Sequence, residues 1–349
     1  MKTADYAENA TILNTRTVAL TGAAAWAGLA LLARSGIARI GAIELLFSFA
    51  PLVIVPLGME LGTMIAGTNE TLLTARRLQP AGAVLAVLSL CLPPGIFAGA
   101  LAAVWMAVCS VAAFSGVIEL IPQSLATAER TNCVHPDADE ISTSGKSGQK
   151  WGTRNALRDQ LSLLAIAVGR IDLAVGGAWL VASRIGLRPM GIQEPIGLLT
   201  AVHFHFAGFA TATLAAATLH FSENHGRGRY LRWLVPFVIA MPFMIAVGFV
   251  TTPAIKMIAA VAFSVSVAGL AVFLLSIAGL AESKTARAML RIASASVLAG
   301  MLVAAVFAVA DFRGSDILPI PQMARTHGLL NAFGFCMCGL LGWLVEFNG

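Results

Sequence analysis

Charge is the scarcest commodity in this chain. Charged residues make up 12% of the sequence, where a soluble domain carries about a quarter. So few charges cannot cover a water-facing surface, which excludes an ordinary soluble globule. The net charge of +5 reads as anchoring charge in loops and gives no ground for a nucleic-acid partner. A disulfide framework is also missing. Of five cysteines, Cys91, Cys109, Cys336 and Cys338 lie in apolar runs and Cys133 in a polar stretch. Cys336-x-Cys338 has no second pair at zinc-like spacing, so these side chains read as small buried groups. No Gly-x-x-x-x-Gly-Lys-Ser/Thr is present, and Gly145-Lys146-Ser147 is therefore no phosphate loop. The first sixteen residues are polar and lack the short charged opening of a cleaved signal, so the first apolar run is expected to stay as a helix.

Apolar residues, by contrast, make up 58% of the chain. A hydrocarbon core of about 30 Å takes roughly 20 apolar residues per helix. Runs of that kind fall at 17–33, 40–62, 80–98, 100–121, 160–183, 192–219, 233–251, 254–281, 288–310 and 326–346. The expected fold is thus all-α, a polytopic bundle of about ten transmembrane helices with both termini cytoplasmic. The turn near Pro93-Pro94 is the one whose position can slide. The chain divides into an N-terminal segment 1–16, helices 1–4 over 17–121, a flexible cytoplasmic loop 122–159, and helices 5–10 over 160–346. No soluble catalytic domain fits into that loop, so any chemistry or transport must use the membrane helices.

Loop charges give an independent check. Arg34, Arg39, Arg184, Arg188, Lys256, Arg313 and Arg325 fall on one side and Arg170 within a span. The other fifteen of the 23 Lys and Arg residues fall on the opposite side. That two-to-one bias is what the positive-inside rule expects of a ten-span chain, and it supports both ends being cytoplasmic.

Ionisable groups inside a bilayer are expensive and are functional candidates by default. Asp172 falls near the middle of the fifth span, and His203 and His205 near the middle of the sixth. His327 and Asn331 lie in the outer half of the tenth. Glu44, Glu194 and Asp311 sit at the same outer level, close enough to headgroups to be solvated caps. Asp172, Arg184, His203, His205, His327 and Asn331 are the candidate lining of one polar pocket in the outer half of the bilayer. Helical geometry restricts them: His203 and His205 point about 200° apart, whereas His327 and Asn331 share a face. Arg170 needs a partner on another helix, for which Glu60 and Glu119 are candidates. Asp172 is either a functional acid or a partner of Arg184 or Arg325. Arg184 is either a pocket wall or a snorkelling side chain. Each histidine is either a hydrogen-bonding strut or, for His203, His205 and His327, a candidate metal or haem ligand. His220 and His225 lie near the cytoplasmic surface.

The stretch Gly177–Phe209, GAWLVASRIGLRPMGIQEPIGLLTAVHFHFAGF, together with Thr326-His327-Gly328, Asn331-Ala332 and Gly334-Phe335, resembles the YndJ-like family of bacterial membrane proteins. The resemblance implies an integral membrane protein of a family sometimes labelled transporter-like, in the bacterial cytoplasmic (inner) membrane. It brings no settled activity, substrate or cofactor, and it marks His203, His205, His327 and Asn331 as a polar signature.

Three activities remain open. A transporter would handle a small molecule through the His/Asp/Asn pocket. The paired prolines Pro51 and Pro56 in span two and Pro236 and Pro242 in span seven would fit a five-plus-five inverted repeat. An intramembrane enzyme would use Asp172 as an acid on a lipid-soluble, isoprenoid-like substrate. The low aromatic content of 7% argues mildly against that pocket. A metal or haem protein would use the histidines, with Asn331 or Asp172 behind them. The cofactor is unassigned, and the partners are the lipid bilayer and a small-molecule or lipid-soluble ligand.

Overall fold

The computed structural model describes residues 14–132 and 146–349 apart from 316 and 318, with the backbone alone for 121–132 and 146–159. Among the described residues the chain forms ten helical rods and no strand. They are α1 (Thr15–Arg34), α2 (Ala42–Ala66), α3 (Glu70–Cys91), α4 (Ile96–Asn132) and α5 (Lys146–Ile185). The second five are α6 (Ile196–Asn224), α7 (Leu231–Val250), α8 (Pro253–Leu280), α9 (Lys284–Phe312) and α10 (Ile320–Asn348). Nine of them are long and apolar enough to cross a membrane. The exception is α3, whose first half carries Glu70, Arg76 and Arg77.

That polar half is where the third span departs from expectation. The helix runs 70–91 instead of 80–98. Asn69 caps its start, the side chain accepting from the Leu72 amide at 2.8 Å, and Glu70 follows in the first turn, which suits a helix N-terminus. Arg76 is tolerated because it pairs with Glu60 on α2, which Thr15 also reaches at 2.9 Å. The helix stops where Leu92 turns extended ahead of Pro93, as a residue before proline prefers. Helix α4 then starts at Ile96, four residues early. The expected loop 122–159 is largely helical too: α4 continues to Asn132 and α5 already begins at Lys146. The segment 133–145 with Cys133, and most of segment 1–16, lie outside the described residues.

The bundle end carrying Thr15 and Asn348 is called inner, after its excess of Lys and Arg. Within the bundle, α2 and α6 form the centre, each with 78% of its spanning window buried, while α1 is peripheral at 11%. Close approach depends on small residues, as between membrane helices generally. A Cβ added at Gly116 would come 2.9 Å from the Ala167 Cα, and one at Gly177 would come 3.0 Å from the Met106 Cα. These two glycines draw α4 and α5 together along their length.

Candidate functional site

Three helices leave α-geometry. The chain is π-helical over Ala50–Ile54 in α2, Phe204–Ala210 in α6, and Ala324–Gly328 and Leu330–Met337 in α10. Wide turns of this kind cluster at functional sites, and here they face one another. Phe49 packs at a tilt on Phe333 with ring centres 4.3 Å apart, Phe47 meets His205 edge-on at 4.9 Å, and Gly58 lies under the Phe209 ring.

Widening frees carbonyls, and a buried carbonyl needs a donor. Pro56 has no N–H for Leu52, and α1 approaches that carbonyl at Gly22, where a Cβ would stand 2.0 Å from the oxygen. Only a Cα–H can face it there. The Pro51 carbonyl instead accepts from the buried Gln79 amide of α3 at 2.6 Å. In α6 the Thr211 hydroxyl donates to the Phe206 carbonyl at 2.9 Å, and in α10 Asn331 donates to the His327 carbonyl at 2.8 Å. By contrast α7, with Pro236 and Pro242, remains α-helical throughout. The proline match between spans two and seven therefore has no structural counterpart.

Asp172 lies against the π segment of α6. It is 0% exposed, and neither carboxyl oxygen has a hydrogen-bond partner among the described residues. Gly208 makes the room: a Cβ there would fall 2.6 Å from the Asp172 Cγ. One turn further along the same α5 face, Gly176 plays the same part for His205, whose Nδ1 would be 2.6 Å from a Cβ. Asp172 and His205 are thus neighbours on the α5–α6 seam. Asp172 pairs with neither Arg184 nor Arg325.

The histidines separate by the fate of their nitrogens. In all three, Nδ1 meets a backbone carbonyl: Leu199 at 2.7 Å for His203, Ala201 at 2.8 Å for His205 and Gly300 at 2.9 Å for His327. A carbonyl only accepts, so Nδ1 carries the proton and Nε2 is the acceptor. The Nε2 of His205 takes the Trp105 indole N–H at 3.0 Å, and that of His327 faces the Asn331 amide at 3.1 Å. The Nε2 of His203 has no partner among the described residues, and its side chain is exposed. His203 also lies within electrostatic reach of His327. His205, with both nitrogens engaged, has none left for a metal, and no group of three or more His, Cys, Asp or Glu is placed to hold an ion among the described residues.

The expected single pocket therefore resolves into parts. Asp172 and His205 share the α5–α6 seam. His327 and Asn331 are bonded together against Gly300 of α9, and His203 stands nearby. Arg184 is drawn away from all of them. Its Nε donates to the Ser89 carbonyl at 3.1 Å and its guanidinium to Leu92 at 2.5 Å, so it caps the C-terminal end of α3 where carbonyls lack partners. Arg170 finds Glu119 at 2.7 Å and Ser115 at 3.2 Å, and Glu60 is taken by Arg76. Glu194 accepts from the Leu198 amide at 3.2 Å, and Asp311 pairs with Lys256 at 2.7 Å. His225 bonds the Phe221 carbonyl at 2.9 Å, and His220 packs edge-on to Phe347. Trp105, Gly176 and Gly208 escaped the sequence reading, since an apolar or small residue on a membrane helix gives no signal of its neighbour, and Gln79 escaped because the expected third span began only at residue 80.

The profile of the family described as YndJ-like protein matches residues 45–335. That range takes in most of the π-widened turns and all six residues of the expected pocket. An uncharacterized membrane protein YndJ of Bacillus subtilis (strain 168) is 31% identical over 196 residues, which is 56% of this chain and 35% of that protein. The match thus spans about a third of that relative's length. No solved structure matches. With a family match over most of its length, on a bundle of apolar helices, the chain belongs to the YndJ-like family of membrane proteins.

Proposed function

We propose that the protein is a transporter-like carrier of a small molecule, with Asp172 as its midplane acid and His203 as the group that meets the substrate from the outer side. The observation that carries this reading is Asp172: fully buried, unpartnered, and set against a helix whose backbone is widened at that level. A bare carboxylate in such a place costs several kcal/mol, on the order of the penalty for a buried unpaired ion. A residue held at that cost suits a group that exchanges a proton or a cation during a cycle. Interrupted helices near the midplane are where secondary transporters bind, and α2, α6 and α10 are interrupted together. His203 adds an exposed acceptor nitrogen suited to a hydroxyl or ammonium donor.

The acid-enzyme reading is less well supported. Gly208 is packed directly on the Asp172 carboxyl, so a lipid-sized substrate would have to part α5 from α6 to reach it. The deciding experiment reconstitutes the full chain in liposomes under an imposed pH gradient. Radiolabelled amino acids, sugars, dicarboxylates and quaternary amines are then offered in turn. Uptake of at least one of them by the wild type, lost in Asp172→Asn while the melting temperature holds, is the expected result. Equal uptake by the variant, or none of any solute by the wild type, overturns the reading.

A further inference from the structure

On its outer half, α10 carries an apolar groove of about 490 Å³ lined by Arg325, Thr326, Leu329, Leu330, Phe333 and Gly334. We propose that this groove holds one acyl chain of an anionic phospholipid, with Arg325 bound to the lipid phosphate.

The groove follows from the two π segments, which end and restart at Leu329. Gly334 at its inner end packs on Ser296 of α9, where a Cβ would fall 2.3 Å from the serine side chain. The groove's floor is Phe333, whose ring packs against Trp26 at 5.1 Å and Phe49 at 4.3 Å, so the groove is backed by a fixed aromatic cluster. Polar character is confined to the outer end. Thr326 turns its hydroxyl back onto the Gln322 carbonyl at 2.9 Å and offers the groove only its methyl. Arg325 is exposed and, like Arg34, Arg39, Arg188 and Arg313 at the same end, has no side-chain hydrogen bond or ion pair among the described residues, but of these it alone lines the groove.

Position and length fit a lipid. Arg325 stands five residues into α10 at the outer end, where headgroups begin. From Arg325 to Gly334 the widened chain rises somewhat less than the ~13 Å of a regular α-helix, within the ~15 Å depth of one leaflet. A planar guanidinium binds phosphate through two parallel hydrogen bonds. A cation over an apolar channel is complementary to a phosphate over a hydrocarbon chain, and to no polar solute of that length. The assignment stands apart from the carrier reading, because none of these residues contacts Asp172 or His203 in any bond described above.

The test is native mass spectrometry of the full chain. It is released from nanodiscs holding equal phosphatidylglycerol and phosphatidylcholine, then washed in detergent until annular lipid is lost. The wild type is expected to retain one phosphatidylglycerol. Arg325→Gln should cut that adduct at least tenfold relative to phosphatidylcholine, and Arg325→Lys should keep part of it. Leu329→Trp, which fills the groove from an exposed position, should lose both lipids. Melting curves of each variant distinguish a lost site from a lost fold, and only variants that melt like the wild type are scored. Retention of phosphatidylglycerol in both Arg325→Gln and Leu329→Trp, or an annular lipid only in the wild type, overturns the proposal.

Discussion

Helix α5 carries two charged side chains two residues apart, and the protein treats them in opposite ways. Arg170 turns to the inner side and one of its terminal nitrogens, Nη1, meets Glu119 at 2.7 Å and Ser115 at 3.2 Å, while Asn69 holds the other Glu119 oxygen at 3.0 Å; its Nη2 has no partner among the described residues. Asp172 turns to α6 and receives nothing. Both are at most 1% exposed. Burial alone therefore does not mark a site. A buried charge compensated by an opposite charge is framework that ties α3, α4 and α5 at the inner end. A buried charge denied partners, next to a helix that has given up regular geometry, is held at a cost in stability. Such costs are usually found where function requires them.

The comparison breaks most readily at the framework member. Glu119→Gln leaves the Arg170 guanidinium buried and uncompensated, which should cost about 3–5 kcal/mol. The lower end is favoured because the Glu119 side chain is 13% exposed. Asp172→Leu should move the other way, gaining ~1–3 kcal/mol by removing an unsatisfied buried group. Urea-type unfolding of the detergent-solubilised protein reads both. A loss of stability in Asp172→Leu would mean that Asp172 has a partner in solution and belongs with Arg170 as framework.

A second test bears on the fit between Asp172 and the widened turn. In Gly208→Ala the new Cβ would lie 2.6–2.7 Å from the Cγ, Cβ and Oδ2 of Asp172. Overpacking of that sort costs typically ~1–3 kcal/mol. Asp172→Gly removes every one of those contacts, at ~1 kcal/mol for glycine in a helix. The Gly208→Ala penalty should therefore shrink by at least ~1 kcal/mol in the Asp172→Gly background, a coupling of the size that touching residues show. Additive penalties would separate the two residues and remove the seam as a unit.

How far the sequence foretells this arrangement depends on the kind of signal. The number of helical rods was legible, because it rests on runs of apolar residues and does not depend on contacts, although one of the ten, α3, falls short of a full apolar span. The start of α3 was not, since Arg76 and Arg77 look like loop charges until Glu60 is known to face the first of them. For the site, the depth of Asp172, His203, His205 and His327 follows from counting along each helix. Their grouping does not. Arg184, at the outer end of the fifth span, turns to the α3 carbonyls at 3.1 and 2.5 Å instead of the pocket, because a turn broken by Pro93 and Pro94 leaves acceptors there. The π segments were also hidden. Pro51 and Pro56 hint at one, but Pro236 and Pro242 do the same in α7, where the helix stays regular. The difference lies in tertiary contact: Gln79 supplies the donor that a widened α2 demands.

The smallest expected effect is also the sharpest test of the contrast, because it separates two histidines of one motif. His205→Leu leaves the Trp105 indole N–H and the Ala201 carbonyl facing an apolar side chain in a fully buried place. That should cost ~1–3 kcal/mol. His203→Leu gives up only a bond to the Leu199 carbonyl at the exposed edge of the same helix, so its stability should stay within ~0.5 kcal/mol of the wild type. If His203 is the outer contact of the carrier, its variant should nonetheless lose solute uptake, folded and inactive. His205→Leu should lose uptake only in proportion to lost fold. An equal destabilisation of both variants would mean that the Nε2 of His203 is buried against a partner in the bilayer. It would then join His205 as framework, leaving Asp172 to carry the site alone.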